Sequence, residues 1–473
     1  MLGKSLNFFD KNLHYYYLFF IILYSVLYIF ITPPFATPDE HNHFRKAASD
    51  EKIYLNGKLS IDKNIQNFSE QIKNKLFTNK KINLNQYFNS NNDNYFSDNF
   101  ENADLANLAG YPYYAYFIPK FGFSFSKLFT NNILKSFYSG RLFNLFLFIS
   151  CSYLLIKLNI YRDFFYTLLF LPTTLSLVNS YSADSFIISI ICLYAYFFLK
   201  DKKELTLKNI QICNCIILLI SVIKPVYIFL NLIVLLYSKK YLKMNIMANI
   251  LILALLIFYF YDYPSMPIDN NITTKTYIVN YLLLNPASTI KLFFLTVLLE
   301  SKVYTYEIIG VVGHMVNISL YFICYYLLAI YLFYIIYKNM EFSKKNILTV
   351  SIILLSALVI LATIYLNTNT LGQYEIIKNV RGRYFLILLF FLSCTFNSSI
   401  KNNFKNKNLI TIIFFLSIFF IFNFYEQISI KSNIVIFLFI CLLIYQKYFR
   451  IFFKLMIPHF NILILYNIYD FYY

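Results

Sequence analysis

The chain is poor in the residues that a water-soluble protein needs. Only 14% of its 473 residues are charged while 59% are apolar, and the mean hydropathy of +0.56 lies outside the range of soluble globular domains. It therefore reads as an integral membrane protein. Glycine and proline number only 9 and 11, which argues against Gly-rich phosphate loops and against the many broken helices of secondary transporters. Tryptophan is absent, so aromatic girdles must be made of Tyr and Phe. The abundance of Phe, Tyr, Ile, Lys and Asn reads as the codon bias of an AT-rich genome. Acidic residues are outnumbered 23 to 41, for a net charge of +18. That surplus alternates with long apolar runs instead of forming solvated patches, so nucleic acid is not an expected partner. The seven cysteines all fall inside apolar runs and no CxxC occurs. They read as small buried hydrophobes, and Cys213-x-Cys215 is too tight for a zinc knuckle.

Residues 14–32 form an uninterrupted apolar segment long enough to cross a core of about 30 Å, and read as the first transmembrane helix. A polar, Asn- and Lys-rich stretch follows over about 33–136, with its Asn-rich middle, about 56–100, expected to be partly disordered. Apolar segments then recur near 137–157, 163–180, 184–199, 209–223, 225–238, 245–262, 316–337, 347–366, 383–396, 408–424 and 432–447. With the N-terminus inside, every second short loop is basic, from Lys157 and Arg162 through Lys239 and Lys240 to Lys447 and Arg450. The long first loop then faces outward. Segments 209–223 and 225–238 are short for spans and are joined at Lys224-Pro225, which suggests a hairpin with Lys224 near the outer face. Segment 263–315 carries Lys291, Glu300, Lys302 and Glu307 and reads as interfacial helices on the outer surface. The 451–473 segment either spans or lies on the membrane.

The outward end of the first helix reads PPFATPDEHNHFRKA, Pro33 to Ala47. Thr37-Pro38-Asp39-Glu40 is a capping-box pattern with Pro at the first helical position, which predicts a helix starting where the chain leaves the bilayer. Asp39 and His43, four residues apart, share a face of that helix. Capping accounts for Glu40 but not for placing Asp39 and His43 together at the lipid boundary. Asp39, assisted by His43, would suit a general base facing a lipid-linked substrate. Asp39, Glu40, His41 and His43 also make a candidate set for a divalent cation. Asp184 opens a span, where an acid either favours the helix N-terminus or joins a site. Arg381 and Arg383 sit at an outer helix end against the positive-inside trend. Arginine forks bind phosphate oxygens, with Lys224 as an added point charge, and headgroup anchoring is the alternative. Arg141, inside an expected span, must face protein or a polar cavity. Tyr111, Tyr113 and Tyr114 could stack on a sugar or an isoprenoid, or simply sit at an interface.

The PPF-x-x-PDE-x-x-HF string resembles the signature of the DUF2142 family of bacterial multi-pass membrane proteins, which is related to GT-C-type glycosyltransferases. Further elements follow in the same order: Gly110-Tyr111-Pro112-Tyr113-Tyr114, Arg141, Asn179 through Ser185 with Asp184, Lys224-Pro225-Val226-Tyr227, Asn285-Pro286, and Arg381-Gly382-Arg383-Tyr384-Phe385. The ordered set covers about residues 14–400. Departures are Tyr113 where the family often has Leu, and Arg381 in place of Gln.

The resemblance implies a single all-α polytopic bundle of GT-C-like architecture over residues 1–473, with about 11–13 spans. Its first extracytoplasmic loop, 33–136, is expected to consist of interfacial helices. It implies residence in a bacterial cytoplasmic membrane and transfer of a sugar from a polyprenyl-phosphate donor to an envelope glycan or lipid acceptor. In that reading Asp39, Glu40 and His43 are catalytic. Tyr111, Tyr114, Arg141, Asp184, Lys224, Arg381, Arg383 and Tyr384 bind substrate. No cofactor is assigned, with the Asp39 cluster as the candidate place for a divalent cation. A flippase or polymerase of lipid-linked saccharides is the alternative. The enzyme reading further predicts Asp39 and Arg383 in one outward cavity, roughly 10–15 Å apart.

Overall fold

The computed structural model describes residues 18–19, 21–30, 32–55, 58–77, 95–97, 99–104, 111–158, 165, 168–200, 205–262, 284–309, 344–368, 377 and 380–395. The segments expected near 316–337, 408–424 and 432–447, and the stretch 451–473, lie outside the described residues.

The described chain is a helical bundle. Helix α1, Ile21–Phe30, is the described part of the first apolar segment. A turn over Pro33–Asp39 leads into α2, Glu40–Ala48, and holds two non-glycine residues with left-handed backbone, Phe35 (φ 68°) and Asp39 (φ 62°). The capping-box expectation is corrected here. The helix begins at Glu40, Asp39 is its N-cap residue without a side-chain cap bond, and Pro38 stays in the turn. The Thr37 carbonyl accepts from the Glu40 N–H at 3.1 Å, closing the turn one residue before the helix.

The first loop also departs from an all-helical expectation. Strands β1 (Asp50–Leu55), β2 (Lys58–Asp62) and β3 (Phe100–Asp104) form an antiparallel sheet in the order β1-β2-β3, with Lys58 opposite Asp104 and Asp62 opposite Phe100. Helix α3, Lys63–Phe77, follows β2 directly. Asp62 joins the two elements by accepting from the Asn64 and Ser97 N–H groups, both at 2.8 Å. Ile65, Phe68 and Ile72 recur at helical spacing and are buried, so α3 is held by an apolar stripe instead of by propensity. Phe35 and Phe44 pack edge-on against Phe68, fastening the subdomain to α2.

A 3₁₀ turn at Tyr113–Tyr116 leads into α4, Phe117–Lys127, which packs beside α5, Ile133–Lys157. Asn132 caps α5 by accepting from the Lys135 N–H at 3.0 Å. The expected span 163–180 is corrected in its described part. A turn at Phe170 precedes α6, Pro172–Val178, whose seven residues are all buried. Pro172 at its first position has no N–H to continue an earlier helix.

Helices α7 (Ala183–Lys200) and α8 (Leu207–Ile223) follow. At Lys224-Pro225 a 3₁₀ stretch, Pro225–Leu230, packs back on α8 and continues into α9, Asn231–Tyr237. The chain then bends by 102° into α10, Leu242–Asp262. Helix α11, Pro286–Ile309, is one 24-residue helix where several interfacial pieces were expected. Helices α12 (Lys344–Thr368) and α13 (Arg383–Thr395) complete the described set. Among the described residues α5, α7 and α12 are long and apolar enough to cross a membrane, and the bent pair α9–α10 would make a fourth.

Candidate functional site

Five segments meet at one end of the bundle: the turn before α2 with that helix's first turn, Tyr111 of the first loop, the start of α7, the α8 end at Lys224, and the start of α13. They enclose a cavity of about 180 Å³. Asp39, His43, Tyr111, Asp184, Lys224, Arg383 and Tyr384 all line it, although they are spread over 345 positions of sequence.

The left-handed backbone at Asp39 turns its carboxylate toward Arg383, whose Nη2 donates to Oδ2 at 2.8 Å. The expected separation is thereby corrected. The two residues share the cavity, but as a direct ion pair, because opposite charges on facing walls attract and the turn permits contact. The Asp39 side chain is 50% exposed and that of Arg383 only 12%. Asp184, in the first turn of α7, pairs with Lys224. The Arg383 Nε lies 3.8 Å from Asp184 Oδ2, too far for a hydrogen bond, and is a buried donor without a hydrogen-bond partner. Lys224 and Arg383 both lie over the Tyr384 ring, at 4.5 and 5.7 Å from its centre. Asn42 and Ser182 complete the polar lining, and sequence reasoning did not single them out. Ser182 stood within the Asn179–Ser185 string, whereas Asn42 carried no signal beyond its neighbours.

His43 lies one turn into α2. Its Nδ1 is 2.6 Å from the Tyr116 hydroxyl, and its ring meets Tyr111 edge-on at 5.5 Å. Burial pushes its pKa down to about 3, with the Asp39 carboxylate opposing that shift, so the imidazole is neutral at ordinary pH. Behind it Lys46 is fully buried, donates to the Tyr111 carbonyl, and faces the Tyr113 ring at 5.0 Å. Burial lowers this ammonium to about 7. Burial likewise raises the Tyr111 phenol, which stays protonated.

Other candidates are placed elsewhere. Glu40 and Arg141 lie outside the cavity and pair with each other, with Nε–Oε1 at 3.0 Å and Nη2–Oε2 at 2.6 Å. Arg141 spends its remaining N–H donors on the carbonyls of Ile29, Thr32 and Pro33, while Glu40 also accepts from the Phe35 and Tyr181 N–H groups. The pair ties α1, the turn, α5 and the start of α7 together. Tyr114 donates to the Leu219 carbonyl at 2.6 Å. Arg381 faces outward to Glu307 of α11 at 3.1 Å. Glu307, another residue the site reading missed, also accepts from the Gly382 N–H and so holds the turn that presents Arg383.

In chemical terms the cavity combines two carboxylates with two cations, one of which keeps an unused donor. That set can receive an anion and hold a carboxylate beside it. Asp39 Oδ2 and Asp184 Oδ1 are each taken by a cation, Arg383 and Lys224 respectively. Among the described residues, no group of three or more His, Cys, Asp or Glu converges as metal ligands do.

A family model described as Predicted membrane protein (DUF2142) matches residues 20–392, an interval that contains every cavity residue. No curated protein and no solved structure matches the chain.

Proposed function

Because the chain belongs to the DUF2142 family of predicted membrane proteins, we propose that the cavity binds the phosphate of a polyprenyl-phosphate sugar and transfers the sugar to an envelope glycan or lipid acceptor. The architecture would then be GT-C-like, with the cavity on the extracytoplasmic face of a bacterial cytoplasmic membrane. The observation that carries this reading is the buried Arg383 Nε without a hydrogen-bond partner, placed beside Lys224 and across from the half-exposed Asp39.

In this reaction the acceptor hydroxyl attacks the sugar's anomeric carbon, the carbon–oxygen bond to phosphate breaks, and polyprenyl phosphate leaves. Asp39 orients the hydroxyl and takes its proton. Arg383 and Lys224 stabilise the charge that develops on the phosphate oxygens, the demand that preorganised cations meet best. Neutral His43 contributes a polar wall without a competing charge. Asp39 and Asp184 are each paired with a cation of the same cavity.

The deciding experiment is mass spectrometry of surface glycans and lipid-linked precursors from cells carrying wild type, a deletion, or Asp39→Asn at matched membrane abundance. Loss of one sugar with build-up of its unmodified acceptor in both mutants supports transfer. An unchanged glycan profile in Asp39→Asn beside a defective deletion refutes Asp39 as the base and favours transport of the lipid-linked saccharide.

A further inference from the structure

Helix α4 belongs to the first loop, yet its sequence FIPKFGFSFSK is apolar at every fourth position. Phe117, Phe121, Phe125 and, just past its end, Phe129 form a stripe, each 45–76% exposed. The rings of Phe121 and Phe125 stack at 6.3 Å, and Phe125 meets Phe129 at 5.2 Å. The stripe continues onto α5 through Phe143, which both Phe121 and Phe125 touch. Beyond it Leu142 and Phe146 of α5 are exposed as well.

The depth of this stripe follows from its register on α5. Ser139 Oγ donates to the Gly122 carbonyl at 2.8 Å, and Ser126 lies 3.3 Å from Ser136, so α4 runs antiparallel beside residues 136–143. Gly122 is required there, since a methyl group would strike the Phe143 side chain. If the basic end of α5 at Lys157 marks the inner boundary, Phe143 stands about 21 Å and Ser136 about 31 Å above it along the axis. A hydrocarbon core of about 30 Å therefore encloses α4 in its outer third. The cations agree with this depth. Lys120 turns away to donate to the Ser49 carbonyl, while Lys127 lies over the Phe96 ring at the end of α4 level with the outer boundary.

We propose that α4 is not a water-facing loop helix but is immersed in the outer leaflet, with the Phe117–Phe121–Phe125 stripe in contact with lipid acyl chains and Phe129 at the boundary above them. The surface is an extension of the lipid-facing side of α5. This placement holds whether or not the cavity transfers sugar.

The absence of tryptophan makes the test direct. Phe121→Trp and Phe125→Trp each create a single-tryptophan protein, as does Phe146→Trp on the span. Gln71→Trp, on an exposed position of α3, reports the aqueous loop. The full-length proteins are purified into phosphatidylcholine–phosphatidylglycerol vesicles, with and without acyl-chain-brominated lipid. The expected result is blue-shifted emission from positions 121 and 125, quenched by brominated lipid to the same extent as position 146 and protected from acrylamide. Red-shifted emission quenched by acrylamide, as at position 71, would overturn the proposal. So would insensitivity to both quenchers, which would mean that protein covers the stripe.

Discussion

Two neighbouring acids in the turn before α2 are put to different uses. Asp39 is half-exposed on the cavity wall, whereas Glu40 has no exposed surface and satisfies Arg141 inside the protein. Removing one partner of a buried pair leaves an uncompensated charge, so Glu40→Gln or Arg141→Met should each cost about 3–5 kcal/mol, read as a lowered unfolding midpoint. Replacing both by apolar residues should cost less than the sum. Asp39→Asn keeps the shape of the turn and should leave that midpoint nearly unchanged, while transfer falls about 10²- to 10⁴-fold, the range for loss of a general base. A midpoint drop in Asp39→Asn as large as in Glu40→Gln would argue that both acids are structural. His43 supplies a pH signature. Its folded pKa, about 3, lies below the ordinary value of 6.5, so as pH falls between them the unfolded chain takes up a proton that the folded one refuses. Stability should decline over that window, and His43→Gln should flatten the decline in denaturant titrations at stepped pH.

At the scale of elements, the start of α13 depends on α11. Gly382 sits so close to α11 that a methyl group would meet the Tyr304 carbonyl oxygen and the Glu307 side chain. Glu307 accepts from the Gly382 N–H and pairs with Arg381. Gly382→Ala must push the two helices apart and carry Arg383 with them. It is expected to weaken phosphate-ligand binding as strongly as Arg383→Met, measured by isothermal titration, although residue 382 does not line the cavity. Binding equal to wild type would show that the turn is not held by this contact.

The same elements show what could be read in advance. Helix existence was legible because long apolar runs with few glycines and prolines leave little else to form, and Lys224-Pro225 marked the break after α8 because proline cannot continue a helix. The sheet was obscured by the loop's polar composition. Its signal was Asn56-Gly57 standing between two strand-forming runs, the hairpin dipeptide. The left-handed Asp39 was hidden by a capping-box pattern that Thr37, Pro38 and Glu40 satisfy formally. The Glu40–Arg141 pair is fixed by tertiary packing over 101 positions, which no local spacing encodes. Arg383 was nameable from charge against topology, Asp39 from the face it shares with His43, Asp184 from its place at the start of a span and Lys224 from its joint with Pro225, whereas Glu307 was only one charge on an amphipathic run.

Taken whole, the molecule gathers its unusual charges where α7 begins and α8 ends, and Lys200 closes α7 at its opposite end. With the basic ends inside, Gln71→Cys should react with an impermeant maleimide in intact cells, and Lys240→Cys only after permeabilisation, in a background where the exposed Cys215 is replaced. The reverse pattern would place the cavity in the cytoplasm and remove the envelope acceptor from consideration. The charge balance of the cavity leads to a sharper test. Asp39 and an incoming phosphate compete for Arg383, so the two halves of the mechanism separate in Asp39→Asn: the guanidinium is freed for the anion while the base is lost. Polyprenyl phosphate at about 100 times its dissociation constant should stabilise the wild type by about 2.7 kcal/mol. The same concentration should stabilise Asp39→Asn at least as much and Arg383→Met hardly at all, with EDTA changing none of these shifts. If Asp39→Asn instead loses ligand stabilisation together with activity, Asp39 binds the ligand, and the division of labour between one carboxylate and two cations is wrong.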